Sequence, residues 1–301
     1  MFTIDFKEDW RAYVETELKA LGFSYDKNID ISLNYLGLLK AQRRIPCPQP
    51  RKMYYAKTFS VPECHAKGFA TLVEKISKGN NLRPYLSRGI DDITSIDGAL
   101  DDFGTIHFHL GEAILPSGYV KRTKELAFAW ITKEALYFIA VHEHGKGYGD
   151  VWFNTHFVQN IHDNWPELIA RYRLDIKESE LTPNERKNLR SNGYNTSISV
   201  SDGTVYHSPG GGFTSGGHTI PDYVKNALVI RHLEYYEALV RQEEIHIQAF
   251  FGLTKDKPLT LRMSFDGSTF WIFEPTKQVI LISGKLGWLW QSPNAKTLLS
   301  E

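Results

Sequence analysis

The stretch TIHFHLGEAILPSGYVKRTKELAFAWITKEALYFIAVHEHG, residues 105–145, decides how this sequence folds. Three short runs within it, 105–110, 126–131 and 135–144, have strand length and strand composition with turn residues between them. They predict an antiparallel β-meander between Ile106 and Gly145. Residues two apart on a strand share a face. His107 and His109 therefore point one way, and Ile106, Phe108 and Leu110 the other. His142 and His144 share a face in the same manner. If the first and last runs are neighbours, or one strand apart, four imidazoles converge. Lys121, Arg122 and Thr123 come at the start of the middle strand.

On the N-terminal side, residues 5–21 predict an amphipathic helix. Asp5 is its N-cap, Phe6, Trp10, Tyr13, Val14, Leu18 and Leu21 recur at helical spacing, and Gly22 stops it. Further helices are predicted over 30–42 and 62–78. Between them RRIPCPQPRK, residues 43–52, is basic and holds three prolines, which reads as an extended linker or wrapping arm. On the C-terminal side a helix is predicted over 155–173 with a break near Pro166. Beyond it come a strand pair around 196–207, the glycine-rich SPGGGFTSGG, a long helix over 221–247 and a terminal meander. In that meander Leu259, Leu261, Met263 and Phe265 alternate before an Asp266–Gly267 turn. Parallel βαβ alternation is missing, so the fold class is α+β: N-terminal helices, a central small antiparallel sheet and a C-terminal α+β domain. The charged run KESELTPNERKNLRSNG marks the expected division: residues 1–176, a linker at 177–193, and residues 194–301.

Composition sets outer limits. Of 301 residues 42% are hydrophobic and 23% charged, the mixture of a folded globular chain. Lys plus Arg equals Asp plus Glu at 35 each, so the chain lacks the global field of a strongly basic nucleic-acid binder, while a local basic patch is still allowed. No apolar run approaches the roughly 18–20 residues of a membrane span. MFTIDFKEDW at the N-terminus lacks signal-peptide organisation. Cys47 and Cys64 have no metal-ligand spacing and fit a reducing compartment. A cytoplasmic protein is expected.

The histidine-bearing sheet is the predicted chemical centre. Imidazoles beside fixed cations suit acid–base work on a phosphodiester, in which a base activates the nucleophile and cations stabilise the developing charge. His107, His109, His142 and His144 are the catalytic candidates, and Lys121, Arg122 and Thr123 would bind phosphate. Two other readings of these residues stay open: a polar surface on a non-enzymatic interaction protein, and a metal-dependent hydrolase whose imidazoles, with Glu112 and Glu143, ligate Zn, Ni or Cu. The preferred reading involves no metal and no cofactor. Arg43 and Arg44, with Arg51, Lys52, Tyr54 and Tyr55, would contact RNA by charge and stacking, or form a solvated linker. SPGGGFTSGG fits neither the P-loop nor the dinucleotide fingerprint. It reads as a mobile surface loop, with Ser208, Thr214, Ser215 and His218 as its polar groups. Arg186, Lys187 and Arg190 read as a solvated face. Trp288 and Trp290 near the C-terminus read as packing or as the edge of a partner interface.

The order of elements around the sheet resembles the small RelE/ParE-type bacterial toxins. The helix at 62–78, the segment IDGALDDFGTIHFHLG, the KRTKELAFAWI strand and the LYFIAVHEHG strand follow that plan over about residues 55–150. The resemblance implies a metal-independent ribonuclease active on mRNA and, for a toxin, an antitoxin protein as partner. It implies that Arg122 is the phosphate-binding arginine and that His142 or His144 stands where the third strand's acid/base group falls. This chain departs from the plan by carrying His107 and His109 where the family often has an Arg, and by its length. The expected function is an endoribonuclease-like toxin or phage-defence protein. The expected alternative is an interaction protein of a phage or mobile element.

Overall fold

The computed structural model describes residues 2–144, 149–177, 181–254, 257–267 and 269–285. Its strands are β1 (Phe2–Thr3), β2 (Lys52–Tyr55), β3 (Thr105–His109), β4 (Glu125–Ile131), β5 (Ala135–Glu143), β6 (Arg173–Leu174), β7 (Ile198–Ser199), β8 (Val205–Tyr206), β9 (Leu259–Thr260), β10 (Arg262–Asp266), β11 (Thr269–Glu274) and β12 (Val279–Lys285). Its α-helices are α1 (Phe6–Ala20), α2 (Ile31–Arg44), α3 (Ala66–Ser77), α4 (Gly98–Phe103), α5 (His156–Asn164), α6 (Pro166–Ile169), α7 (Pro183–Ser191), α8 (Ile220–Gln242) and α9 (Glu244–Phe250). The fold is α+β, and no described helix is long and apolar enough to cross a membrane.

The chain divides into two compact units, and not at the charged run. One consists of Met1–Leu38 with Asp222–Glu301, and the other of Leu39–Pro221. Composition pointed to residues 177–193 because they lack large apolar groups. Part of that run forms α7, which opens with a reciprocal capping box between Thr182 and Glu185. It is anchored by Arg186, a residue only 1% exposed that donates to the Thr196 hydroxyl and the Ser197 carbonyl. A buried arginine supplies the attachment that apolar side chains would otherwise supply.

In the first unit, Asp5 caps α1 by accepting from the Glu8 amide, and Trp10 packs edge-on against Tyr35 and Phe265. Strands β10, β11 and β12 form the antiparallel terminal meander. The Asp9 carboxylate in α1 accepts from the Met263 amide at 2.7 Å and pairs with Arg262 at 2.5 Å, which fixes the helix to the meander. Trp288 and Trp290 lie outside the described residues.

The second unit is built on a four-stranded sheet in the order β2-β5-β4-β3. The expected meander of β3, β4 and β5 is present and antiparallel. A fourth strand joins it. Lys52–Tyr55, which begins at the last residue of the expected linker, pairs parallel with β5, and the basic pair Arg43–Arg44 closes α2. Arg51 fastens this segment by donating to the carbonyls of Thr132 and Cys47, and Tyr54 stacks on Tyr137 with centroids 4.9 Å apart. The prolines end at Pro50, just before the ladder begins, as an edge strand requires.

One sheet face carries Ile106, Phe108, Ala127, Ala129, Leu136 and Phe138 and packs against α3. The opposite face carries Leu126, Phe128, Trp130 and Ala140 and packs against α5. A β-bulge in β5 decides which face the last two histidines join. Ala129 opposes Phe138, but Phe128 opposes Ala140, so Ile139 is an extra residue. Before it, Leu136 and Phe138 face the α3 side; after it, Ala140 and His142 face the α5 side. The histidines of β5 thereby come to the face that holds His107 and His109.

Helix α3 approaches the sheet closely through Gly68, where an added Cβ would overlap the Leu110 carbonyl. Gly68→Ala should therefore destabilise this unit by about 2 kcal/mol, the scale of an overpacked core position. Chemical denaturation followed by tryptophan fluorescence measures the loss, and an unchanged midpoint would contradict the close approach.

Candidate active site

The sheet register settles where the four imidazoles lie. His109 opposes Leu126, which opposes His142, while His107 opposes Phe128 one row away. The first and last runs are thus one strand apart and their histidines share a face. The His109 and His144 rings are 5.5 Å apart between centroids, and His142 is 5.4 Å from His156, an imidazole on α5 that spacing alone did not connect to the others.

The four are not equivalent. A cavity of about 310 Å³ opens beside this face, lined by His107 and His144 together with Arg44, Asp97, Arg122 and Trp152. His109 and His142 are not in its lining. His109 is 1% exposed, and its Nδ1 accepts the Thr123 amide at 3.2 Å. That bond places the ring proton on Nε2, a buried atom with no hydrogen-bond partner among the described residues. Burial, joined by the charge of Arg122, lowers the pKa of His109 to about 3. Burial also lowers His142, and the neighbouring His156 adds to the effect. His109 is accordingly neutral and enclosed, while His142 is neutral and half-buried outside the cavity.

His107 faces the cavity from β3. Its Nδ1 is 3.7 Å from Oδ2 of Asp97, outside hydrogen-bond range but within reach of a small ring rotation. Asp97 is held in place because its other oxygen, Oδ1, accepts the Leu100 amide and caps α4. With a proton on Nδ1 turned toward Asp97, Nε2 carries the lone pair. Burial depresses the His107 pKa, with Asp97 opposing the shift and His144, Arg122 and Arg44 reinforcing it. His144, just beyond β5, lies 2.7 Å through Nδ1 from the Lys124 carbonyl. That bond fixes the proton on Nδ1 and leaves Nε2 as an acceptor. Trp152 approaches both rings edgewise, 5.2 Å from His107 and 6.2 Å from His144. The result is a compact set of two imidazoles, a carboxylate, an arginine and an indole.

Of the basic candidates, Arg122 lines the cavity, Lys121 is exposed outside its lining, and Thr123 is structural. The Thr123 hydroxyl accepts the Leu110 amide and donates to the Glu125 carbonyl, joining β3 to β4. All three lie just before β4 rather than on it. Arg43 and Arg44 are not on a solvated arm. Arg43 pairs with Asp101 at 2.8 Å, and Arg44 is buried, donating to the carbonyls of Gly89, Asp92 and Ser95. Arg44 therefore shapes the cavity wall rather than presenting free donors to RNA.

Arg190, expected on a solvated face, pairs with buried Asp102, donates to the Trp152 carbonyl and stacks over Phe153 and Phe213. The SPGGGFTSGG segment is built into the same region. Ser208 is buried and donates to Asp102 at 2.5 Å, and the Gly210 and Gly212 amides donate to the carbonyls of Asp102 and Asp101. At Gly210 a Cβ would overlap the α4 backbone, so the glycines serve close packing rather than a phosphate cradle.

Among the described residues no group of three or more His, Cys, Asp or Glu side chains is placed to hold a metal ion. Glu143 pairs with Lys124 at 2.6 Å, and Glu112 is exposed. Asp97 and Trp152 had no spacing signal to mark them. The Asp-Gly dipeptide at 97–98, an N-cap signature, was the one local hint. Comparison with known protein families, with curated proteins and with solved structures finds no match to this chain.

A buried neutral imidazole makes stability depend on acidity. The unfolded chain binds a proton at position 109 near pH 6.5, whereas the folded chain resists until about 3. Stability is therefore full above pH 6.5 and falls as pH drops toward 3. Replacing His109 by Gln, which keeps an acceptor for Thr123, should flatten the decline in melting temperature between pH 6.5 and 4. Equal slopes for the two proteins would contradict this assignment.

Proposed function

We propose that the Leu39–Pro221 unit is a metal-independent endoribonuclease of the toxin or phage-defence kind, acting in the cytoplasm. The observation that carries this reading is that His107, His144, Arg122 and Trp152 line one cavity. Two imidazoles that each leave Nε2 free, a cation and an aromatic ring match the needs of RNA phosphodiester cleavage. The order α3, β3, β4, β5, with Arg122 ahead of β4 and His144 after β5, adds support through its likeness to RelE-type toxins.

His107 takes the proton from a ribose 2′-hydroxyl, and the 2′-oxygen bonds to phosphorus. The bond from phosphorus to the 5′-oxygen breaks. His144, entering the reaction as the doubly protonated imidazolium, delivers its Nε2 proton to that leaving oxygen and is left neutral, its Nδ1 proton donated to the Lys124 carbonyl. The products are a 2′,3′-cyclic phosphate and a 5′-hydroxyl. Asp97 steers the His107 proton onto Nδ1 and so keeps Nε2 basic. Arg122 neutralises the charge on the non-bridging oxygens, and Trp152 offers a ring for the flanking base.

Purified protein incubated with RNA, with and without chelator, provides the test. His107→Ala and His144→Ala should each reduce cleavage by about 100-fold or more, the usual yield of a positioned acid or base. Chelator should leave the rate unchanged, and a 2′-deoxy nucleotide at the cleaved position should block the reaction. Absence of RNA cleavage by the folded wild-type protein would sink the ribonuclease reading. Activity lost to chelator would replace it with a metal-dependent one.

A further inference from the structure

Beside the cavity a second arginine has no anionic partner. Arg122 is exposed and, among the described residues, makes no hydrogen bond or ion pair; partial desolvation and the charge of Arg88 weigh against its cationic form, while Tyr119 favours it. Arg88 is exposed and lies on a turn whose flanking residues, Ser87 and Gly89, line the same cavity as Arg122. Its contacts are neutral: Nη2 donates to the Ser117 hydroxyl at 3.3 Å, and the guanidinium lies 6.0 Å from the centre of the Tyr119 ring. The turn is fixed from below, since Arg44 holds the carbonyls of Gly89, Asp92 and Ser95. Asp91, on the same turn as Arg88, accepts from the Tyr119 hydroxyl at 2.5 Å and pairs with Arg83 at 2.7 Å. Asp97 is the one carboxylate in the cavity lining, and it serves α4 and His107. Arg122 thus lines the cavity while Arg88 stands between two of its lining residues, Ser87 and Gly89, and among the described residues neither guanidinium pairs with a carboxylate. Such an arrangement costs free energy until an anion arrives to bridge or neutralise the pair.

We infer that Arg88 and Arg122 form a two-phosphate site at the cavity rim, so that the ligand is an oligonucleotide bearing a phosphate next to the one that is cleaved. This rests on the ribonuclease reading for the identity of the ligand, but the subsite itself needs only a diphosphate-like anion. Arg122 holds the phosphate inside the cavity, and Arg88 holds its neighbour outside. The protein would then discriminate by chain context and act poorly on the smallest substrates.

Binding to the full-length protein tests this with 2′-O-methyl ligands that cannot be cleaved. One is a dinucleotide with a single internal phosphate, and the other carries an added terminal phosphate. Wild type should bind the two-phosphate ligand about tenfold tighter, with a steeper salt dependence. Arg88→Ala should abolish that preference and lower the salt slope by about 0.7 to 0.9, as expected for one lost phosphate contact, and Arg88→Lys should restore part of it. A preference that survives in Arg88→Ala, or is absent in a wild-type protein that cleaves RNA, overturns the subsite and leaves the nuclease standing. Pyrophosphate that raises the melting temperature of wild type but not of Arg88→Ala, when neither nucleotide binds, supports the subsite and removes the nuclease.

Discussion

A single extra residue, Ile139, governs the chemistry of this sheet. Strand periodicity alone would send Leu136, Phe138, Ala140, His142 and His144 to one side. The bulge divides them, leaving the first two in the core against α3 and turning the rest toward α5. Without it, the histidines of β5 would lie behind the sheet from those of β3. A slip of one residue exchanges every side chain between faces, so a bulge acts as a switch in the pattern rather than a flaw in the ladder.

The groups around the cavity then depend on a buried charge network centred on α4. Asp101 pairs with Arg43 at the end of α2, and Asp102 pairs with Arg190 of α7 and accepts from Ser208. Burial raises the pKa of Asp101, and the Arg43 charge opposes the rise, so each partner keeps the other charged. Breaking such a pair leaves an uncompensated charge, at a cost of about 3–5 kcal/mol. The network also reaches the cavity: Asp97 stands at the start of α4, and Arg190 holds the backbone of Trp152. Three stretches distant in sequence, around Arg43, Arg190 and Ser208, are fastened to one six-residue helix.

Much of the sheet was legible because its signals are local. The predicted runs 105–110, 126–131 and 135–144 correspond to β3, β4 and β5 within a residue. The break at Pro166 separates α5 from α6 as expected. What could not be read depends on distant partners. β2 exists because β5 passes beside it some 80 residues later in the chain. Arg43, Arg44, Arg186 and Arg190 look like solvated charges until the carbonyls and carboxylates they reach are known. Period-two spacing identifies the face a histidine occupies, not its surroundings, so it could not separate cavity-lining His107 and His144 from His109 and His142, which lie outside the lining. The RelE-like reading likewise drew on element order, while Asp97, Trp152 and Arg88 come from irregular segments with no periodicity to read.

The division of the chain also sets an order of assembly during synthesis. Everything required by the Leu39–Pro221 unit has emerged before α8 is complete, and its β3-β4-β5 meander is contained within residues 105–143. Helix α1, made first, has its apolar side and the Asp9 carboxylate committed to β10, whose residues 262–266 arrive more than 240 positions later. The unit made from the chain ends therefore has the longest loop to close and the higher contact order, which slows its folding. Until then α1 lacks its β10 partner, while every residue of the candidate active site has already been made.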